Sequence, residues 1–363
     1  MNILHITNGL SEGGVETFLF SLSKELVNKG HIVSIMVLNK DECDLAPICL
    51  KNNIQVIRGK FRSAYNPLNI FHIYSMMNKY DIIHVHLFPT QYWVSIASFF
   101  KHCKFKILTT EHNTFNHRRK FKIFKYIDSV VYSAYSNIVG ISCATVDDLD
   151  SWIVRSICKT PIILIYNGIC IDRFSTIGKL SKSHFNLLDS DKVLLMVARF
   201  NEQKDHRTVI NALALLPNYI HLLLVGSGDT MDSFKELAKS KGVTTRVHFL
   251  GNRIDVPDIM KISDIGIVSS HWEGFGLVAI EYMAAGIPVL ASNVLGLNEV
   301  VDNPNSLFIQ GSERELAKKI KELLEDSKLY ESLVNYSHRQ INKFSLEKMV
   351  NSYLNLYKLM VHA

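Results

Sequence analysis

The chain has 363 residues, 47% of them apolar and 20% charged, with a formal net charge of +6. That length suits two ordinary domains, and the apolar content is ample for two cores. No apolar run reaches the length of a membrane span, and MNILHITNGL has no basic n-region, so no secretory signal is expected.

The first half alternates short β-rich runs with helical patterns. NILHIT (2–7) is the first strand. VETFLFSLSKELVNKG follows as a helix with Val15, Phe18, Leu19, Leu22 and Leu26 on one face, ending at Gly30. HIVSIMVL, IQVI, DIIHVHL, KFKILTT, NIVGIS and PIILIY read as further strands. Their near-continuous Val, Ile and Leu content implies parallel strands covered on both faces. In the second half KVLLMVAR, YIHLLLVG, RVHFLG, DIGIVSS and IPVLAS repeat the scheme. Two such βα arrays predict two Rossmann-like, doubly wound α/β domains facing a cleft. The first is expected over 1–172 and the second over 173–344, with the join in the aperiodic stretch between Asp172 and Lys192. From Ser345 a last helix carries Met349, Tyr353, Leu354 and Tyr357 on one face and is expected to pack back on the first domain. Cys43, Cys49, Cys103, Cys143, Cys158 and Cys170 form no CxxC pair and are expected as reduced, buried thiols of a cytoplasmic protein.

The positive charge is uneven. Up to Cys170 there are 18 Lys and Arg against 12 Asp and Glu, and beyond it 22 of each. The excess gathers in KHCKFKILTTEHNTFNHRRKFKIFKY (101–126), which favours an anionic partner. Within it, RRKFKIFKYIDSVVYSAY sets Phe121, Phe124, Val131 and Tyr135 among five cations. That pattern fits an amphipathic helix at an anionic membrane surface, or a core helix with a solvated basic end. Nucleic acid is disfavoured, because no recognition helix, RNP-like run or zinc motif accompanies the charge.

The stretch EGFGLVAIEYMAAGIPVLAS (273–292) carries the chemistry. Glu273 and Glu281 stand eight positions apart, about 12 Å along a helix. That is too far for the two carboxylates of a glycosidase, which sit roughly 5–9.5 Å apart. DIGIVSS ends a strand, HWEGFG is a loop, and a helix runs from Gly276 to a cap at Gly286 with Pro288 beyond. Gly274 and Gly276 let backbone approach a ligand, and the N–H groups of Gly276 and Leu277 suit phosphate. A carboxylate suits sugar or ribose hydroxyls. The combination describes a nucleotide-sugar site.

This stretch resembles the E-x7-E signature of retaining glycosyltransferases of GT-B fold, especially glycosyltransferase family 4. The resemblance extends through GGVE (13–16), DIIHVH (81–86), TTEHN (109–113), IYNGI (165–169), VARFNEQKDH (197–206), LLLVGSGD (222–229) and VHFLGN (247–252). It implies that Glu273 contacts the donor sugar and Glu281 the nucleotide ribose. Arg199 and Lys204 would grip the diphosphate, helped by the backbone of Gly274, Phe275, Gly276 and Leu277. Gly13 and Gly14 would close on the donor, His112 would sit beside the reacting sugar, and Gly251, Asn252 and Arg253 would border the base. The chain departs from the family pattern at Cys170, where Asn-Gly-Ile-Asp is usual, and at Asp205, where glycine is common.

No metal or other cofactor is expected, since Arg199 and Lys204 can supply positive charge. The Asp-x-Asp pairs Asp148–Asp150 and Asp189–Asp191 do not follow a cleft strand. His84 and His86 alternate along DIIHVH and are expected on opposite faces of the sheet, unable to share an ion. His112 is expected in a polar cluster with Glu111, Asn113 and His117. The expected activity is retaining transfer from a nucleotide-diphosphate sugar, UDP-sugars favoured, to a carbohydrate or lipid-linked acceptor. The expected setting is bacterial surface-polysaccharide assembly at the inner face of the cytoplasmic membrane. A soluble acceptor, a non-transferring nucleotide-sugar-binding protein and a nucleotide-sugar epimerase are the alternatives.

Overall fold

A computed structural model describes all residues except 12, 101–104, 115, 176–179 and 363; the side chains of 117 and 175 are likewise outside the description. Cys103 and the start of the basic stretch therefore lie outside the described residues. The chain divides into two compact units, Met1–Gly168 with Leu346–Ala363, and Ile169–Ser345.

The first unit is built on strands β1 (Asn2–Thr7), β2 (Ile32–Asn39), β3 (Gln55–Phe61), β4 (Ile82–His86), β5 (Lys106–Glu111), β6 (Asn137–Gly140) and β7 (Ile162–Leu164). They form one sheet in the order β3-β2-β1-β4-β5-β6-β7, and every pairing is parallel. Side-chain alternation splits the core in two. Ile3, Ile82 and Leu108 face helix α1 (Gly14–Asn28), while Leu4, Ile83 and Ile107 face the other layer. The closing helix Leu346–His362 lies on the α1 side and buries Met349, Val350, Tyr353, Leu354, Leu356, Tyr357 and Met360. Each such side chain contributes on the order of 1.5–3 kcal/mol of gross apolar transfer.

The second unit holds β8 (Lys192–Val197), β9 (Ile220–Val225), β10 (Val247–Gly251), β11 (Ile265–Val268), β12 (Val289–Ser292) and β13 (Leu307–Phe308), ordered β10-β9-β8-β11-β12-β13. These pairings are also parallel, so both units have the doubly wound α/β architecture. In each, the strand order reverses beside the first strand, the place where such sheets bind ligands beyond their carboxyl edge.

Two expectations change. Cys43, Cys49 and Cys158 are buried thiols, but Cys143, the first residue of helix Cys143–Trp152, and Cys170, in the loop after β7, are exposed. The basic segment is also less solvated than its composition suggests. Arg118 is buried against Asp128, and Arg119 pairs with Asp148. Val131 and Tyr135 are core residues, and the exposed face of helix Ile123–Ser133 is apolar instead: Ile123, Tyr126, Ile127 and Val130, with Phe121 just before it.

The β11–helix contact of the second unit is tight enough to test. A Cβ on Gly266 would lie 2.4 Å from the ring of Tyr282. That ring is fully buried, and its hydroxyl is fixed by accepting from Val197 N (2.9 Å) and donating to Leu195 O (3.1 Å). It cannot step aside, so Gly266→Ala is expected to cost on the order of 2 kcal/mol by overpacking. Urea melts of the variant should show this; an unchanged midpoint would contradict the packing described.

Candidate active site

In the second unit the loops after β8 and β11 are stitched together. His271 N donates to Gln203 O at 2.7 Å, and Gln203 Nε2 returns a bond to Trp272 O at 2.9 Å. Ser269 Oγ lies within donating distance of both Lys204 O (2.9 Å) and Asp205 O (3.0 Å). The result brings Lys204 onto Glu273: its ammonium donates to Oε1, and the same oxygen accepts from Ser270 Oγ at 2.8 Å. Ser292 Oγ in turn donates to Ser270 O at 2.6 Å. Two of the expected residues are thus in direct contact. Arg199 is exposed two residues beyond β8.

The helix after this loop runs Leu277–Ala285, capped at one end by Gly276 (φ 89°) and at the other by Gly286 (φ 79°). Gly276 is required twice over: its φ is left-handed, and a Cβ would meet Leu297 at 2.6 Å. Ala279 N donates back to Gly276 O at 3.0 Å, which leaves the N–H groups of Leu277 and Val278 without an intrahelical acceptor, and the helix dipole favours an anion there. Gly296, which sequence reasoning passed over, has φ 82° and backs onto Glu273 O, 2.5 Å from where its Cβ would be. It holds the Glu273 loop from behind. Ser269, Ser270 and Gln203 were also missed, since their spacing carries no motif.

The departure at Asp205 has a local explanation. Its φ is 50°, the left-handed region where glycine is easy and aspartate tolerable. Its carboxylate then caps helix His206–Ala214, accepting from Thr208 N (3.2 Å) and Thr208 Oγ1 (2.5 Å). The ring of Phe275 is buried and packs edge-on against Phe344 at 5.4 Å, so only its backbone can serve a ligand. Gly251 has φ 66°, and Arg253 is engaged by Asp255 at 2.6 and 2.8 Å.

In the first unit Gly13 caps the start of α1, and Gly14 is its first residue. His112, just beyond β5, is buried. Its Nε2 is 3.1 Å from His86 Nδ1, and Phe18 of α1 packs on it at 5.1 Å. Burial holds its pKa down to about 3, so it is neutral. Glu111 does not join it. Adjacent strand residues point oppositely, and Glu111 accepts from Tyr132 Oη at 2.5 Å on the other face. His117's side chain lies outside the described residues.

The expected orientation of His84 and His86 is wrong. Positions i and i+2 of a strand share a face, and the two rings lie with centroids 4.1 Å apart, tilted by 41°. With His5 they bring three ring nitrogens within 4.8 Å of one another, a geometry open to a cation. Five of the six nitrogens already have partners, however. His84 Nδ1 meets Tyr357 Oη and its Nε2 meets Thr110 Oγ1, both at 2.7 Å. His86 bonds His5 at 3.2 Å and His112. The cluster is a hydrogen-bonded network first. Asp148 and Asp150 are each paired with an arginine.

Glu281 is partly exposed as a residue, but its carboxyl is enclosed, and burial raises its pKa from 4.5 to about 7, with Arg173 pulling the other way. Between those values the folded form keeps a proton that the unfolded chain has lost, so stability falls as pH rises from about 4.5 through 7. Glu281→Gln is therefore expected to be more stable than the parent at pH 8, by on the order of 3 kcal/mol at most, and equal near pH 4.5. Urea melts at the two pH values check this; a pH-independent difference would remove the enclosed carboxyl from the account.

Comparison with known proteins agrees with the two-sheet architecture. The sequence matches the profile Glycosyltransferase Family 4 over residues 12–173 and Glycosyl transferases group 1 over residues 180–340, which together take in most of the chain. It is 25% identical over 376 residues to an uncharacterized 41.2 kDa protein in the cps region of Klebsiella pneumoniae, covering 99% of each. It is 24% identical over 312 residues to the UDP-Gal:alpha-D-GlcNAc-diphosphoundecaprenol alpha-1,3-galactosyltransferase of Escherichia coli, covering 81% of this chain and 79% of that one. The crystal structure of HepE from Anabaena in complex with UDP-glucose matches with a TM-score of 0.86 at 22% identity, covering 99% of both chains. Both halves of the sequence and both sheets lead to one assignment: the chain belongs to glycosyltransferase family 4 and has the GT-B fold.

Proposed function

We propose that this glycosyltransferase moves a sugar, with retention, from a nucleotide-diphosphate donor, a UDP-sugar by preference, to a lipid-linked acceptor in surface-polysaccharide assembly. The observation that carries the reading is the contact of Lys204 with Glu273 beside the start of helix Leu277–Ala285. The bond from the sugar's anomeric carbon to the diphosphate breaks, and negative charge grows on the leaving phosphate. Lys204, Arg199 and the helix N-terminus are the groups that stabilise it. Glu273 accepts from sugar hydroxyls, and Glu281 from the ribose. The acceptor hydroxyl attacks the same face that the phosphate leaves, passing its proton to the departing phosphate oxygen. No protein nucleophile and no metal enters this scheme.

Two observations support the acceptor class. The Escherichia coli relative is named for a diphosphoundecaprenol acceptor, and the Klebsiella pneumoniae relative for a cps region. Among the described residues no helix is long and apolar enough to cross a membrane. The exposed Phe121, Ile123, Tyr126 and Val130, flanked by exposed Lys120 and Lys122, make instead a face that suits the surface of an anionic bilayer.

Lys204→Ala and Glu273→Ala are each expected to lower kcat/KM by about 10²-fold, corresponding to roughly 3 kcal/mol of transition-state stabilisation. UDP should raise the melting temperature of the parent in a concentration-dependent way and do so weakly or not at all for Lys204→Ala. Undiminished transfer in either variant overturns the assignment of these residues. For the membrane contact, Ile123→Ser with Tyr126→Ser is expected to weaken binding to phosphatidylglycerol vesicles by about tenfold or more. Equal cosedimentation of parent and variant at low salt would favour a soluble acceptor.

A further inference from the structure

Three buried imidazoles of the first unit, His5, His86 and His112, are hydrogen-bonded in series. His5 lies on β1 opposite His84 of β4, and His86 lies on β4 opposite Thr110 of β5. His112 follows two residues later. His5 Nδ1 meets His86 Nε2 at 3.2 Å, and His86 Nδ1 meets His112 Nε2 at 3.1 Å. His5 Nε2 is buried without a partner. His84 is outside the line but braces it. Its own nitrogens are fixed by Tyr357 and Thr110, and its ring packs against His86 with centroids 4.1 Å apart.

Proton counting limits what such an array can be. Each nitrogen–nitrogen contact needs one hydrogen, and each neutral imidazole carries one. Two arrangements satisfy both contacts. In the first, every proton points toward His112: His5 Nδ1–H donates to His86, His86 Nδ1–H donates to His112 Nε2, and His112 keeps its hydrogen on Nδ1. In the second, every proton points back, and His5 Nε2–H is left donating to nothing in a fully buried site. A buried orphan N–H is the costlier defect, whereas the first arrangement leaves only a bare lone pair. Burial holds all three rings neutral, which removes a doubly protonated His86 from consideration.

We propose that His5, His86 and His112 form a directional hydrogen-bonded ladder in which His86 is a positioning residue that fixes His112 as its Nδ1–H tautomer. The nitrogen of His112 that remains for a ligand is then a hydrogen-bond donor. Its other nitrogen is spent on His86. His112 can hold an oxygen of the donor sugar, but it cannot take a proton from the acceptor. This deepens the reading of His112 as a sugar contact and rests on it for its functional meaning, while the tautomer itself does not depend on any reaction.

The test uses the full chain labelled with ¹⁵N-histidine and long-range proton–nitrogen correlation at pH 7.5, with the His112 signals assigned by their loss in His112→Gln. The expected pattern is a protonated Nδ1 and a bare Nε2 on His112. The reverse pattern, an average of the two, or one equivalent of tightly bound zinc in the purified protein overturns the ladder. His86→Asn can place an amide donor near the position of Nδ1, whereas His86→Leu cannot. The Asn variant is expected to keep the His112 pattern and most of the transfer rate. The Leu variant should lose the pattern and about tenfold in kcat, with KM for the acceptor little changed. If a folded Leu variant, checked by circular dichroism, keeps Nδ1–H on His112, His86 has no positioning role. Absence of any transfer by the parent would sink the transferase reading and leave the spectroscopic result intact.

Discussion

An ammonium and a carboxylate meeting at the carboxyl edge of a sheet set the conditions for everything in the second unit. Both Lys204 and Glu273 are largely withdrawn from solvent, so each would be costly to hold charged alone. Paired, and with Ser270 donating to the same carboxylate oxygen, each has its partner in place before any ligand arrives. In the proposed reaction a pyrophosphate would meet a cation already in place, leaving little reorganisation for the moment of bond breaking. The seam of Ser269, Gln203 and His271 matters for the same reason. It fixes the loop after β8 to the loop after β11, and a shift of about 1 Å there would separate the pair.

The first unit solves its polar burial differently on its two faces. Along β5, Thr110 turns toward the imidazoles and the last helix, where Tyr353 Oη lies 3.1 Å from its hydroxyl. Glu111 turns the other way, to Tyr132 and Gln91. On that second face the charges are real and paired: Arg118 with Asp128, Arg119 with Asp148. The sheet separates a neutral hydrogen-bonded network from an ionic one. A formal charge on the histidine side would alter the proton order that the array depends on, and the alternation of one strand keeps it away.

Much of this was legible in the residues. The near-continuous apolar strands gave parallel sheets, because a strand covered on both faces shows no alternation. Gly276, Gly286 and Pro288 fixed the helix after Glu273, because left-handed caps are what glycine is for. What escaped depends on contacts distant in sequence. Nothing in RRKFKIFKY shows that Arg118 and Arg119 are consumed by Asp128 and Asp148, so the stretch looked more basic than its surface is. The polar support of Glu273 comes from serines at 269, 270 and 292, a residue type too common to signal by itself. His84 and His86 were a different kind of miss. Their spacing of two placed them on one face, and only a misapplied period set them apart.

The last helix ties these points to the order of the chain. Tyr357 reaches back 273 positions to His84, and Tyr353 reaches back 243 to Thr110. The second unit, by contrast, is one uninterrupted segment, Ile169–Ser345. Closing so long a loop costs entropy before its contacts repay it, which makes such contacts late events in folding. The second unit can therefore form from one continuous segment. The face of the first unit that carries His84 and the histidine array stays open until the rest of the chain has passed. His84, which braces the histidine array, thus takes a hydrogen-bond partner from a helix that follows the whole second unit in the chain.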